Sequence, residues 1–91
     1  MKSATDELIR IPGVGNSIAG DLINLGLFSV EDLKGKNPEE MYARLCFLKG
    51  GRVDRCMLYV FRCAVYFAEN EESIDEGNYD PRLLCWWKWK D

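Results

Sequence analysis

The residues with the clearest chemical potential are Ile11-Pro12-Gly13-Val14-Gly15, followed after three positions by Ala19. Proline forces a preceding helix to end, two glycines let the backbone turn tightly without a Cβ collision, and a small Ala19 lets the flanking helices approach. Asn16 or Ser17 can then cap the next helix. Such a turn presents backbone N–H groups at a helix N-terminus, where partial positive charge holds a phosphate oxygen without reading a base edge. Pro12, Gly13, Val14, Gly15, Asn16 and Ser17 are therefore the candidate phosphate-binding residues. Nucleotide-binding loops fit less well, because Gly13, Gly15 and Gly20 miss the G-x-G-x-x-G spacing and no Gly-Lys-Ser/Thr follows. The competing reading is that the turn only packs two helices or serves protein contacts.

A second basic group, Lys49, Arg52, Arg55 and Arg62, clusters near Gly50-Gly51 and the helix after it. Helical spacing would line up Arg52, Arg55 and Arg62 as a stripe able to meet a second phosphate, which adds Arg52 and Arg55 to the candidate site. Asp54 and Glu40 are available as competing partners. Trp86, Trp87 and Trp89 have rings that can stack on bases, although the i, i+3 spacing of Trp86 and Trp89 favours packing onto the core.

Other chemistry is thin. Cys46, Cys56, Cys63 and Cys85 form no C-x-x-C pair, so the zinc-knuckle signature is missing. A four-thiolate site assembled from several helices is geometrically conceivable, but core thiols are the better reading and no metal is expected. There is no histidine and no nucleophile beside an evident base, so an enzyme is not expected.

The elements that must position these residues read as helices throughout, with no extended alternation of apolar and polar residues. Thr5 can cap a first helix over residues 6–11, ended by Pro12. Ile18, Ala19, Leu22 and Ile23 form the apolar face of a second helix, and Gly26 is its left-handed stop. Ser29 and Asp32 suggest a capping box for a brief third helix that Gly35 closes. Asn37-Pro38-Glu39-Glu40 combines an N-cap, a first-turn proline and acids at the positive helix end. After Gly50-Gly51, residues 52–69 form the longest helix, apolar nearly all round and hence the spine of the core. Residues 70–80 read as an acidic solvated loop, and Asp80-Pro81 opens a tryptophan-rich short helix over 81–91. The divisions are thus a hairpin over 5–25, two longer core helices over 38–69, the loop and the tail, within one domain over 1–91.

The 12–15 turn between two short helices resembles the helix-hairpin-helix motif. That resemblance implies that the turn's carbonyls hold a monovalent cation bridging to phosphate, and that a basic residue often follows the second glycine, where this chain has Asn16. Leu25-Gly26-Leu27-Phe28-Ser29-Val30-Glu31-Asp32-Leu33 looks like the continuation of such hairpins in the five-helix, SAM-like fold. Gly50-Gly51-Arg52-Val53-Asp54-Arg55-Cys56, Tyr59-Val60-Phe61-Arg62-Cys63-Ala64-Val65-Tyr66 and Trp86-Trp87-Lys88-Trp89 resemble a small bacterial family called "pathogenicity locus", some of whose members are labelled mitomycin resistance proteins. The similarity runs over residues 6–91. The label names a genomic setting, so what it implies is a fold more than an activity.

Composition bounds these readings. Ninety-one residues leave room for one domain, and 47% hydrophobic with 30% charged residues exclude wholesale disorder. The longest nearly charge-free run, residues 56–68, contains Arg62 and is shorter than the ~20 residues of a bilayer span. The N-terminus turns acidic before any apolar stretch, unlike a signal peptide, so a cytoplasmic protein is expected. The net charge of −3 is uneven: residues 69–80 carry six acids and no base, which leaves twelve bases against nine acids elsewhere. A mildly basic body suits weak DNA binding rather than a polycationic clamp. The expectation is an all-α, single compact domain of five to six helices, acting as a DNA-binding accessory module that grips backbone phosphate. The alternative is a protein-interaction module, or a homodimer, in which the apolar long helix or the tryptophan tail meets a partner.

Overall fold

In a computed structural model, which describes residues 3–78 and 80–90, the chain is all-α. Five α-helices and three 3-10 turns make up the described residues, and no strand occurs among them. The ends of the 1–91 domain, Tyr79 in the acidic stretch and the last residue of the tail lie outside the described residues. The Cα radius of gyration is 12.5 Å, against about 12 Å for a compact domain of this length, so the elements pack as one body.

Helix α1, Ala4–Leu8, starts earlier than Thr5 suggests. Ser3 is its cap: the Ser3 hydroxyl accepts the Asp6 N–H at 3.1 Å, and the Asp6 carboxylate accepts the Ser3 N–H at 3.3 Å. This box fixes the start ahead of the expected one. The chain then tightens, with the Ile11 N–H donating to the Leu8 carbonyl at 3.1 Å, before proline restricts it.

Helix α2, Asn16–Asn24, begins at Gly15 rather than being capped by Asn16 or Ser17. It ends where Gly26 takes φ +84° and the Leu27 N–H reaches back to the Leu22 carbonyl at 3.0 Å, closing the last turn as a left-handed residue allows. The brief third element is the 3-10 turn Glu31–Leu33, to which Ser29 contributes its hydroxyl as acceptor for the Asp32 N–H. Helix α3, Pro38–Leu48, starts as its sequence predicts. The Asn37 side chain accepts the N–H groups of Glu39 and Glu40, and Pro38 occupies the first helical position.

Helix α4, Cys56–Glu69, is the spine, with Leu58, Val60, Phe61, Cys63, Ala64, Val65, Phe67 and Ala68 buried. It packs against α3, the Glu31–Leu33 turn and both C-terminal turns. Its start falls later than residue 52. The Val53 carbonyl is taken by the Tyr42 hydroxyl, and the Asp54 carboxylate accepts the Cys56 N–H at 2.9 Å, so the backbone groups a longer helix would need are committed elsewhere. Leu8, Ile11, Ala19, Leu22, Leu33, Leu45 and Phe61 belong to the same core, each 1% exposed or less.

Two expectations for the C-terminal part are corrected. The acidic stretch is not wholly loop: Glu71–Asp75 forms α5, anchored by an ion pair between Glu71 and Arg10 at the end of α1. The tail is two 3-10 turns, Pro81–Leu84 and Trp86–Trp89, rather than one short helix. Asp80 caps the first by accepting the Arg82 N–H at 3.0 Å. The second is held by side chains, since the Trp89 Nε1–H donates to the Leu83 carbonyl at 2.9 Å and Arg62 donates to the Trp89 carbonyl at 2.7 Å.

Candidate functional site

The 12–15 turn stands on two buried neighbours, Ile11 and Val14, joined by a 3.0 Å bond from the Val14 N–H to the Ile11 carbonyl. Between them Gly13 takes φ +86°, a region that costs a side chain strain. A Cβ at Gly13 would also lie 3.1 Å from the Trp86 ring, so this glycine admits both the turn and the tryptophan beneath it. Gly15 is different. Its φ of −97° and ψ of −171° are ordinary extended values, and a Cβ there would meet no heavy atom within 4 Å. Neither the turn nor the helix packing requires glycine at position 15, which corrects the idea that both glycines relieve a collision.

What Gly15 leaves open is the start of α2. No side chain caps it, and a helix supplies no internal acceptor to its own first N–H groups, here those of Asn16, Ser17 and Ile18. Gly13, Gly15, Asn16 and Ser17 belong to a largely exposed segment in which Pro12 is half-buried. The result is a solvent-facing cluster of backbone donors at the positive end of a nine-residue helix.

The arginines are arranged otherwise than helical spacing predicts. Arg52 and Arg55 precede α4 and line a hollow of about 530 Å³ with Tyr42, Val53 and Asp54. Both are exposed; Arg52 lies outside the helix, whereas Arg55 is its N-cap with helical backbone angles, seven residues before Arg62. Arg62 holds Glu39 at 2.9 Å and the Trp89 carbonyl, tying α3, α4 and the tail together. Lys49 pairs with Asp21 of α2 at 3.1 Å. Arg52 therefore falls outside the expected stripe, and Lys49 and Arg62 are engaged within the fold.

The cysteines also stay apart as a group. Among the described residues no three His, Cys, Asp or Glu side chains come together as a metal-holding cluster, so the four-thiolate site of Cys46, Cys56, Cys63 and Cys85 is not assembled. Cys63 is buried, its Sγ 3.6 Å from the Leu83 carbonyl; burial, with a smaller effect of Cys85, pushes its thiol up to about 11. The Cys56 thiol is raised first by its hydrogen bond to Asp54.

Two tryptophans pack inward as their spacing predicts. Trp86 joins the core beneath Gly13, and the Trp89 ring lies 5.5 Å from that of Tyr66. Trp87 does not: it is 51% exposed, edge-on to Trp86 at 5.8 Å.

Sequence reasoning missed a cleft of about 570 Å³ between α4, the start of α3 and the tail, walled by Tyr66 and Trp89 and edged by Lys36, Lys88 and Lys90. Lys88 and Lys90 come from the tail and Lys36 from the segment before α3. The Lys88-Trp89-Lys90 alternation is the signal that could have pointed to it.

This arrangement coincides with a match to the Pathogenicity locus (Cdd1) family across residues 1–91. The chain belongs to that family. The family match covers the turn, the spine and the tail alike. The chain is also similar to the mitomycin resistance protein McrB of Streptomyces lavendulae, with 30% identity over 82 residues, 87% of this chain and 78% of the relative. No solved structure matches the chain. Among the described residues, no helix is long and apolar enough to cross a membrane.

Proposed function

We propose that this family member is a binding module rather than an enzyme, and that it holds the phosphate backbone of DNA at residues 12–15 and the start of α2, in the manner of a helix-hairpin-helix. The observation that carries the reading is the uncapped α2 start behind an unobstructed Gly15. A phosphate oxygen there would accept N–H groups that the helix leaves unused, and the helix dipole would favour its charge. No base edge is involved, so binding is independent of sequence. Asn16 supplies no positive charge, which makes the grip weak, and the remaining attraction of the helix end is screened as salt rises. A monovalent cation at the turn would be held by backbone carbonyl oxygens. Those of Ile11 and Gly15 already accept the Val14 and Ala19 N–H groups, so it would rely on the remaining lone pairs.

The substitution Gly15→Asp tests the reading. Aspartate is a good N-cap and fits the backbone of position 15, so the fold is kept while a carboxylate takes the donors meant for phosphate. We expect affinity for short duplex DNA to fall by about a hundredfold or more, the scale of two lost charge-assisted hydrogen bonds plus repulsion. Unchanged affinity in the folded variant would contradict the reading.

A second reading is favoured by one observation. Phe47 and Leu48 at the end of α3 are 84% and 53% exposed, beside Ala43 and Arg44, an apolar surface suited to a protein partner or a second copy. Helix α4, the expected contact face, is less suited because eight of its apolar residues are buried in the core. Light scattering at rising concentration, with Phe47→Asp as the control, separates self-association from a monomer.

A further inference from the structure

The outer face of the Trp86–Trp89 turn is exposed at Trp87 and Lys88. A 3-10 turn has three residues per revolution, so Trp86 and Trp89 fall on one face, which is the inner one. Trp87 is left on the outside, and its ring leans edge-on against Trp86, the ring that lies beneath Gly13. The exposed indole is thus braced by the same side chain that supports the glycine turn. The residues that follow Trp87 in the chain form one wall of the cleft edged by Lys36, Lys88 and Lys90. The two carboxylates in that cleft are engaged: Glu39 accepts from Arg62, and Glu69 accepts the Gly35 N–H at 3.1 Å. The lysines make no ion pair with a described residue, so their charge faces solvent on a chain that is acidic overall.

From this we infer that the tail binds a nucleic-acid strand with unpaired bases, one base stacking on Trp87 while the following phosphates meet Lys88, Lys90 and Lys36. Trp87 does not itself line the cleft but directly precedes Lys88 at its edge, and exposed aromatics combined with basic side chains are what unpaired strands use, because every base offers a π-face whatever its identity. In a continuous duplex both faces of each base are already stacked, so Trp87 gains nothing there. The inference deepens the hairpin reading and rests on it for the class of ligand. The preferred substrates are single strands, gaps and frayed ends.

Fluorescence-anisotropy titrations of one labelled oligonucleotide, single-stranded and annealed, test this in the wild-type chain and in Trp87→Ala, Trp87→Phe and Gly15→Asp. We expect the single strand to bind more tightly, Trp87→Ala to weaken it by about fivefold to a hundredfold, and duplex affinity to stay within about twofold. Trp87→Phe should restore most of the loss, which a purely structural role for the indole would not predict. Lys88→Ala with Lys36→Ala should make the salt dependence of single-strand binding shallower by roughly 0.7 for each phosphate that is no longer neutralised. Equal affinity for the two forms, or an equal loss of both in a folded Trp87→Ala variant, overturns the stacking face and leaves the hairpin reading standing. Single-strand binding that depends on Trp87 but is untouched by Gly15→Asp supports the stacking face and overturns the hairpin instead.

Discussion

Helices α2 and α4 each begin after a turn that carries two glycines, and their starts are built in opposite ways. Helix α2 follows Gly13-Val14-Gly15 with no side-chain cap and with its first N–H groups facing solvent. Helix α4 follows Gly50-Gly51 and is closed by the chain itself, with Asp54 accepting the Cys56 N–H and the Tyr42 hydroxyl donating to the Val53 carbonyl. The carboxylate at the second start takes the Cys56 N–H, the backbone carbonyls of Asp54 and Arg55 take the next two, and the carboxylate's charge repels an incoming anion. The lesson is that glycine punctuation alone does not leave a helix start open. What distinguishes the first start is that no side chain of the protein has claimed its donors.

The comparison breaks most visibly at Gly13. Gly13→Ala forces a side chain into the left-handed region and against the Trp86 ring, and should cost about 1–2 kcal/mol. That corresponds to a fall in Tm of roughly 5–15 °C in a domain of this size, measured by thermal melting followed by circular dichroism. Gly15→Ala, in the same turn, should melt within a few degrees of wild type, because its Cβ meets nothing.

A smaller effect is expected at Asp54. Its carboxyl is held below the ordinary carboxylate range by the hydrogen bonds it accepts from Cys56, backbone first and then side chain. A depressed folded pKa stabilises above the unfolded value near 3.8 and is lost as pH falls through the folded one. Asp54→Ala should therefore lower Tm by a few degrees at pH 7, the usual scale of a lost cap, and the gap should close in melts below pH 4. A gap that persists in acid would mean that packing, not the charged cap, is what the substitution removes.

The smallest effect comes from the core behind α4. The Cys63 thiol stays neutral to about pH 11 because burial disfavours its thiolate, whereas the unfolded thiol ionises near 9. Unfolding therefore releases a proton above pH 9, and stability declines as pH rises beyond that value toward 11. Cys63→Ala should flatten that alkaline decline in denaturant titrations, and alkylation at pH 8 should mark Cys63 last of the four cysteines.

The all-α class, the Asn37-Pro38 start of α3, the Gly26 stop and the central place of α4 were legible because each rests on local stereochemistry or on apolar spacing within one segment. The start of α4 was not. Tyr42 reaches it from eleven residues away, and the hydrogen bond that diverts the Val53 carbonyl leaves no mark in the local pattern. The same holds for Arg62, whose partners Glu39 and the Trp89 carbonyl are distant in sequence. The turn's composition was legible, but the unequal roles of its glycines were not, since only the backbone angles and Trp86 separate Gly13 from Gly15. The lysine-edged cleft was hidden because its residues come from α4, the start of α3 and the tail.

The most direct test of the bare helix start is a titration of short duplex DNA into isotope-labelled protein, following backbone amides at low and moderate salt. The account predicts shifts centred on Gly13, Gly15, Asn16 and Ser17 that fade as salt rises, with the amides of Cys56 and Met57 at the capped start of α4 unmoved. Silent amides at the start of α2, or equal shifts at both starts, would contradict it.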